Sequence, residues 1–137
     1  MRRAGLAVAI AGALLLAGCT AGPEVSADGS SPIFDRPRAA DDALPEGYWG
    51  SVAEDTSRYV GEDSAGNAYW AVRNGDDAEC IVDLPVDHAG PSVFCGGPGV
   101  TGTTTDGRVI EFASSPSRLT PAIAELVGDT LLVKASR

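Results

Sequence analysis

The chain is poor in positive charge. It contains a single lysine, Lys134, and its Lys and Arg residues number 10 against 19 Asp and Glu, for a formal net charge of −9. A protein that binds nucleic acid needs a basic face that neutralises phosphates. The sequence therefore predicts that nucleic acid is not a partner, and the acidity favours solubility over an electrostatic binding role.

Histidine is equally scarce, which limits acid–base and metal chemistry. His88 is the only histidine, and no Gly-x-Ser-x-Gly motif accompanies Asp87-His88 to indicate a hydrolytic triad. The acidic run from Asn74 to Glu79 departs from the ligand spacing of an EF-hand, and too few His and Cys are present for an ordinary zinc site. We therefore expect no metal, no cofactor and no catalytic residues, with His88 in an exposed loop.

The N-terminus has the three parts of a secretion signal. Arg2 and Arg3 form a short positive region, Leu6 to Ala17 is uncharged and mostly apolar, and small residues lead into Cys19. The apolar run is shorter than the roughly twenty residues of a membrane-spanning helix, which disfavours a lasting transmembrane segment. The sequence Leu16-Ala17-Gly18-Cys19 resembles the lipobox of bacterial lipoproteins.

This resemblance implies cleavage between Gly18 and Cys19 and a diacylglyceryl group on the Cys19 thiol. Two acyl chains, palmitate for example, would give stable anchoring, whereas a single chain binds a bilayer only marginally. The implied address is the extracytoplasmic face of the cell membrane. An ordinary signal peptide with an incidental cysteine is the alternative, and it gives no reason for a lone thiol at the cleavage site.

Removal of residues 1–18, which carry two arginines and no carboxylate, changes the net charge from −9 to −11. It also leaves Cys80 and Cys95 as an even pair in an oxidising compartment, which predicts a disulfide. In the chain-entropy model, a loop of about fifteen residues gives roughly 3 kcal/mol of stabilisation. The alternative is a free redox-active pair, which is disfavoured because the spacing is not Cys-x-x-Cys.

Composition divides the mature chain into two parts. Residues 19–47 lack sustained periodicity and predict a flexible tether, in which Ile33 and Phe34 are the one bulky apolar pair and 41–44 fits a single helical turn. Residues 48–137 predict one β domain, because short β-prone runs alternate with turn signals.

The predicted fold is mainly β: a small antiparallel sheet or partly closed barrel of about six strands, with one disulfide and one short C-terminal helix. Strands are predicted over 58–62, 68–73, 79–84, 92–95, 100–105, 108–113 and 131–134. Thr120-Pro121 has the pattern of a helix N-cap and Gly128 that of a helix stop, which predicts a helix over 121–127. Val93 and Cys95 are predicted to face the core with Cys80, and Ile110 and Phe112 to point inward.

Two aromatic pairs, Tyr48-Trp49 and Tyr69-Trp70, are candidate ligand-binding residues in a chain that is 6% aromatic. Side by side, such rings form a stacking surface for a sugar or peptide. Alternate residues of a strand face opposite ways, however, so packing of one ring of each pair in the core is favoured.

The core run resembles small lipoproteins of high-GC Gram-positive bacteria, through 58–63, Gly66 to Trp70, Cys80 and Cys95. That resemblance implies no activity. We expect a lipid-anchored extracytoplasmic envelope protein, not an enzyme, that binds an envelope protein or glycan and contacts the membrane through the lipid on Cys19. The alternative is an acidic protein inhibitor of a basic cell-envelope enzyme, whose association would be fast and salt-sensitive.

Overall fold

The computed structural model describes residues 30–47, 49–87, 90–113, 119 and 122–136. The strands in these ranges are β1 (Val52–Glu62), β2 (Ala68–Asn74), β3 (Glu79–Leu84), β4 (Ser92–Cys95), β5 (Thr101–Thr103), β6 (Val109–Phe112), β7 (Glu125–Val127) and β8 (Leu131–Lys134). Two short 3-10 helices, Pro32–Phe34 and Ala40–Asp42, precede them. No helix of the described ranges is long and apolar enough to cross a membrane.

The mainly β prediction is confirmed, but the strands form two sheets that do not close into a barrel. The first sheet has the order β1-β2-β3-β4 and the second the order β5-β6-β8-β7, with every pair antiparallel. The bounds of β3, β4 and β8 match the sequence prediction, whereas β1 begins at Val52 rather than Arg58. The pairing of β1 with β2 contains register irregularities, between Ala53 and Arg58 and between Tyr59 and Gly61, which hydrophobic alternation alone does not reveal.

The main core lies between the two sheets. Tyr69, Ala71 and Ile81 of the first sheet pack on Ile110 and Phe112 of the second, together with residues of β7 and β8. The inward orientation predicted for Ile110 and Phe112 is confirmed. Because side chains alternate along a strand, every second residue of β2, β3 and β6 reaches this core.

The first sheet is also apolar on its outer face. There Trp49, Trp70, Val72, Cys80 and Val82 form a second buried cluster. The two faces predicted for β2, with Trp70 and Val72 opposite Tyr69 and Ala71, are confirmed.

A disulfide joins Cys80 of β3 to Cys95 of β4, as predicted. The two residues are direct partners across the ladder, and the amide of Gly96 donates to the carbonyl of Glu79 at 3.1 Å. This pattern makes Cys80–Cys95 a non-hydrogen-bonded pair, in which side chains approach most closely. The prediction that Cys95 faces the core is wrong: Cys80 is buried in the outer cluster, Cys95 is exposed, and Phe94 is the residue of β4 that packs on the main core.

The predicted C-terminal helix is wrong. Of the range 121–127, Glu125–Val127 is strand β7, which pairs with β8 through Leu126 opposite Leu132 and Val127 opposite Leu131. As a strand this segment satisfies its backbone on β8 and buries Val127, whereas so short an isolated helix is marginal in water. Gly128 is a turn residue with φ +55, which explains the glycine without a helix stop.

The described part of the predicted tether contacts the first sheet. We call residues 30–47 the N-terminal arm. Ile33 and Phe34 pack against the main core, and the backbone amide of Ser31 donates to both carboxylate oxygens of Glu79, at 3.0 and 3.1 Å. These contacts place the beginning of the arm at the end of the sandwich where β2 finishes and β3 begins.

Asp42 fixes the arm to β1. Its side chain is 2% exposed and accepts hydrogen bonds from the Arg36 guanidinium at 2.6 and 2.7 Å. It also accepts the backbone amides of Ala39 and Tyr59, each at 2.7 Å. The Tyr59 amide lies just beyond a register irregularity of β1, so Asp42 satisfies a strand donor at that irregularity.

The two sheets approach closely where β4 faces β5. A Cβ added to Gly102 would lie 2.0 Å from a ring carbon of Phe94. Only a residue without a side chain leaves room for this ring, so Gly102 determines how β5 packs against Phe94.

Candidate binding cleft

A cleft of about 420 Å³ opens at the end of the sandwich opposite the beginning of the N-terminal arm. Its lining includes Asp63, Ser64, Arg108, Ile123, Glu125 and Val133, and the remaining lining residues are alanines. The turn between β1 and β2 forms one wall, and β7 with the residues before it forms another. The cleft therefore lies where the two sheets meet.

The wall from the first sheet is organised by Asp63. Its Oδ1 accepts the backbone amides of Ala65 and Asn67 at 3.0 and 2.9 Å, which is the pattern of an aspartate that stabilises its own turn. The Asn67 side-chain amide donates to both Asp63 oxygens, and its own oxygen accepts the Val86 amide at 3.1 Å. Gly66 completes the turn with φ +88, a value that glycine adopts without strain. The wall is thus held by its own hydrogen bonds and connected to the loop after β3.

The floor of the cleft contains a buried arginine surrounded by acids. We call Arg108, Asp63, Asp83, Asp106 and Tyr69 the arginine cluster. The Arg108 guanidinium lies 2.9 Å from Asp83 Oδ1, donates through Nε to Asp106 at 2.7 Å, and lies 3.6 Å from Asp63. It also donates to Asp83 Oδ2 at 3.2 Å and to the Tyr69 hydroxyl, which in turn donates to Asp63 at 2.8 Å.

The contact with Asp83 Oδ1 is electrostatic rather than a hydrogen bond. Although the guanidinium nitrogen is only 2.9 Å away, this fully buried oxygen has no partner in hydrogen-bond geometry. Burial therefore raises the pKa of Asp83 above its ordinary value, and the hydrogen bond and charge of Arg108 offset only part of that effect.

The other two acids respond in the opposite direction. The Arg108 hydrogen bond is the main cause that lowers the pKa of Asp106. Burial opposes ionisation of Asp63, but hydrogen bonds from Asn67, Tyr69 and Ala65 outweigh it and lower the pKa of Asp63. Burial, and then the hydrogen bond to Asp63, raises the pKa of the Tyr69 hydroxyl, which keeps that hydroxyl protonated as a donor.

Three carboxylates against one guanidinium leave the arginine cluster with excess negative charge. Three N–H donors of the guanidinium are used by Asp83, Asp106 and Tyr69, and its charge is already matched by the neighbouring carboxylates, so the cleft offers no uncompensated cation to an anionic ligand. Glu125 at the rim adds a further carboxylate. The described ranges contain no group of three or more His, Cys, Asp or Glu suited to a metal ion.

Glu125 connects the two walls. Its Oε2 accepts the Ser64 backbone amide at 3.1 Å and the Ser64 hydroxyl at 2.8 Å. Ser64 is thus a hydrogen-bond donor to a carboxylate and has no histidine among its described partners. The second oxygen, Glu125 Oε1, makes no hydrogen bond with the described residues and is available at the rim.

The aromatic pairs chosen from the sequence do not share a surface. Tyr69 lies in the main core and is fully buried, whereas Trp70 lies on the opposite face of the sheet with Trp49, each 6% exposed. The Trp70 ring packs instead on Tyr59, with centroids 5.2 Å apart. Tyr48, His88 and the lipidation residue Cys19 lie outside the described residues.

Sequence reasoning missed the arginine cluster, although a signal was present. Arg108 is spaced by two residues from Ile110, which is followed at the same spacing by Phe112, and Asp83 is spaced by two from Ile81. Arg108 and Asp83 therefore face the same side as these core residues. Charged residues at such positions are rarely fully buried unless they are paired. Two opposite charges on core-facing positions of different strands would have predicted the ion pair.

No protein-family model, no curated protein and no solved structure matches the chain.

Proposed function

We propose that the chain is a lipid-anchored binding module of the cell envelope that engages its partner through the cleft and is not an enzyme. The observation that carries this proposal is the cleft itself, with its apolar lining, its buried arginine cluster and its serine bound to a carboxylate. Concave, mostly apolar sites with a few placed polar groups are the usual form of a binding site. The lipid anchor rests on the sequence Leu16-Ala17-Gly18-Cys19.

Fractionation of cells that express Cys19→Ser tests the anchor. We expect the variant to move from the membrane fraction to the medium or to remain as uncleaved precursor. Normal processing of the N-terminus together with unchanged membrane retention would refute the lipoprotein assignment.

Crosslinking in native envelopes tests the role of the cleft. Ile123 lines the cleft and is 55% exposed, so Ile123→Ser changes the site without opening the core. Val93, which is 37% exposed on β4, gives the matched control Val93→Ser. We expect a partner that crosslinks to the wild type and to Val93→Ser to be lost from Ile123→Ser, and equal crosslinking by all three chains would refute binding through the cleft.

Inhibition of a basic envelope enzyme is a second candidate function, because the described surface is strongly acidic. Twelve carboxylate residues are exposed there, against two exposed arginines, Arg36 and Arg38. The acids are Asp35, Asp41, Glu46, Glu54, Asp55, Glu62, Asp76, Asp77, Asp87, Asp106, Glu125 and Asp129. The test is hydrolysis of purified cell wall by envelope extracts. The protein should slow this hydrolysis at low salt, and the inhibition should be lost as added salt screens the attraction. Equal rates with and without the protein at low salt would exclude it.

A further inference from the structure

We infer that the cleft binds a lysine or arginine side chain presented by a protein partner, with the cationic tip at Glu125 and the aliphatic stem against the apolar lining. This inference rests on the proposed function and names the chemistry of its occupant. It is carried by three features of the same end of the sandwich: the sign of the cleft's charge, the apolar rim and the size of the cleft.

The sign of the charge selects a cation. Arg108 is the one basic residue of the lining, and its donors are directed at Asp83, Asp106 and Tyr69. An anionic ligand would have to displace Asp83, whose side chain is fully buried, and leave its charge without a partner, which is costly in a buried site. A cationic ligand meets Glu125 Oε1 at the rim with no internal contact to break.

The rim matches the stem of a long basic side chain. Ile123 is 55% exposed in the lining, and the lining alanines, among them the exposed Ala65 and Ala122, extend this apolar surface. Ile123 is one of the four large hydrophobic residues that are exposed in the described ranges. Lysine and arginine bury their methylene stems on apolar surface while the charged head remains polar, so one such side chain fits both features.

The volume and the surrounding field agree with such an occupant. The cleft measures about 420 Å³, within the roughly 300–1,000 Å³ of typical small-ligand pockets. The acidic surface would also speed the approach of a basic partner and make the association rate fall with salt. Charge complementarity therefore favours a basic protein over an uncharged glycan.

Titration of the full chain with a capped Ala-Arg-Ala peptide, followed by amide NMR shifts, tests the inference. The matched probe replaces the arginine with citrulline, which keeps the shape and removes the charge. We expect shifts at Ser64, Ala65 and Glu125 with the arginine peptide and binding at least about tenfold weaker for citrulline, the factor that corresponds to 1.4 kcal/mol. Equal binding of both peptides, or no shift at these residues with millimolar arginine peptide, would overturn the inference.

Glu125→Gln supplies the second arm, because glutamine retains an acceptor for Ser64. We expect about three- to tenfold weaker binding of the arginine peptide, in line with a partly exposed ion pair. Asp76→Asn, which removes an exposed charge from the opposite end, should change the affinity less than twofold; an equal loss in both variants would show general charge attraction and overturn the site. If the cationic probe fails while Ile123→Ser still loses its envelope partner, the inference falls and the proposed function stands.

Discussion

Replacement of Arg108 by methionine should destabilise the domain severely, because it leaves buried carboxylates without a counter-charge. The Arg108 side chain is 5% exposed and that of Asp83 is fully buried. Removal of one member of a buried ion pair costs about 3–5 kcal/mol, whereas surface substitutions stay within about 0.5 kcal/mol. For a domain with about 5–15 kcal/mol of stability, Arg108→Met would remove a large fraction of the total.

Urea unfolding provides the measurement. Trp49 and Trp70 are both buried and will report unfolding by fluorescence. With an m-value of about 2 kcal/mol per molar urea, a loss of about 4 kcal/mol lowers the midpoint by about 2 M. Arg38→Met is the control, since Arg38 is exposed and makes one side-chain hydrogen bond, to Ser57 Oγ at 3.2 Å.

Two further results are expected of the Arg108→Met variant. Burial already raises the pKa of Asp83, and loss of the guanidinium raises it further, so the folded pKa exceeds the unfolded value of about 3.9. The cost of the buried charge is then present above the folded pKa and disappears as pH falls towards the unfolded pKa, so the deficit relative to wild type should shrink on acidification. Adding Asp83→Asn should also restore about 1–3 kcal/mol. A loss below about 1 kcal/mol, or a double variant no more stable than Arg108→Met, would refute the reasoning.

Three other variants test the fold. The hydrogen bonds from the Arg36 guanidinium hold the pKa of Asp42 well below its usual range, so the contribution of Asp42 to stability is complete above the unfolded pKa of about 3.9 and is lost as pH falls through the folded pKa. Asp42→Asn should therefore cost about 2–3 kcal/mol at pH 7 and make stability fall less steeply with acid. An unchanged slope of the acid-unfolding curve would contradict this. Gly102→Ala should cost about 1–3 kcal/mol by overpacking against the ring of Phe94. Gly75→Ala is the control in thermal unfolding, because nothing lies within 4 Å of its new Cβ. Equal melting temperatures of the two variants would argue against the close approach of Gly102 to Phe94. Replacement of Cys80 and Cys95 by alanine should lower the free energy of unfolding by about 3 kcal/mol in urea, and an unchanged midpoint would show that the bridge contributes nothing.

The sequence by itself determined strands β2, β3 and β4 of the first sheet and the disulfide between β3 and β4. Alternating apolar residues were enough to define β2 and β3, because a period of two is a local property. The Cys80–Cys95 pairing followed from counting cysteines once Cys19 was assigned to the lipid. Local signals failed at 121–127, where glycine and proline fit a helix and where pairing with β8 instead favours a strand.

Only the tertiary structure decided the division into two sheets, the packing of the N-terminal arm and the cleft. Asp42 belongs to a polar, aperiodic segment, and nothing in its neighbours along the chain shows that it accepts the Tyr59 amide. Arg108, Asp63 and Asp83 come from three separate turns and strands, so their encounter depends on which strands face each other across the core. A periodic pattern shows which side of a strand is buried, but the partner of a buried charge is fixed by contacts distant in sequence, and those exist only in the folded chain.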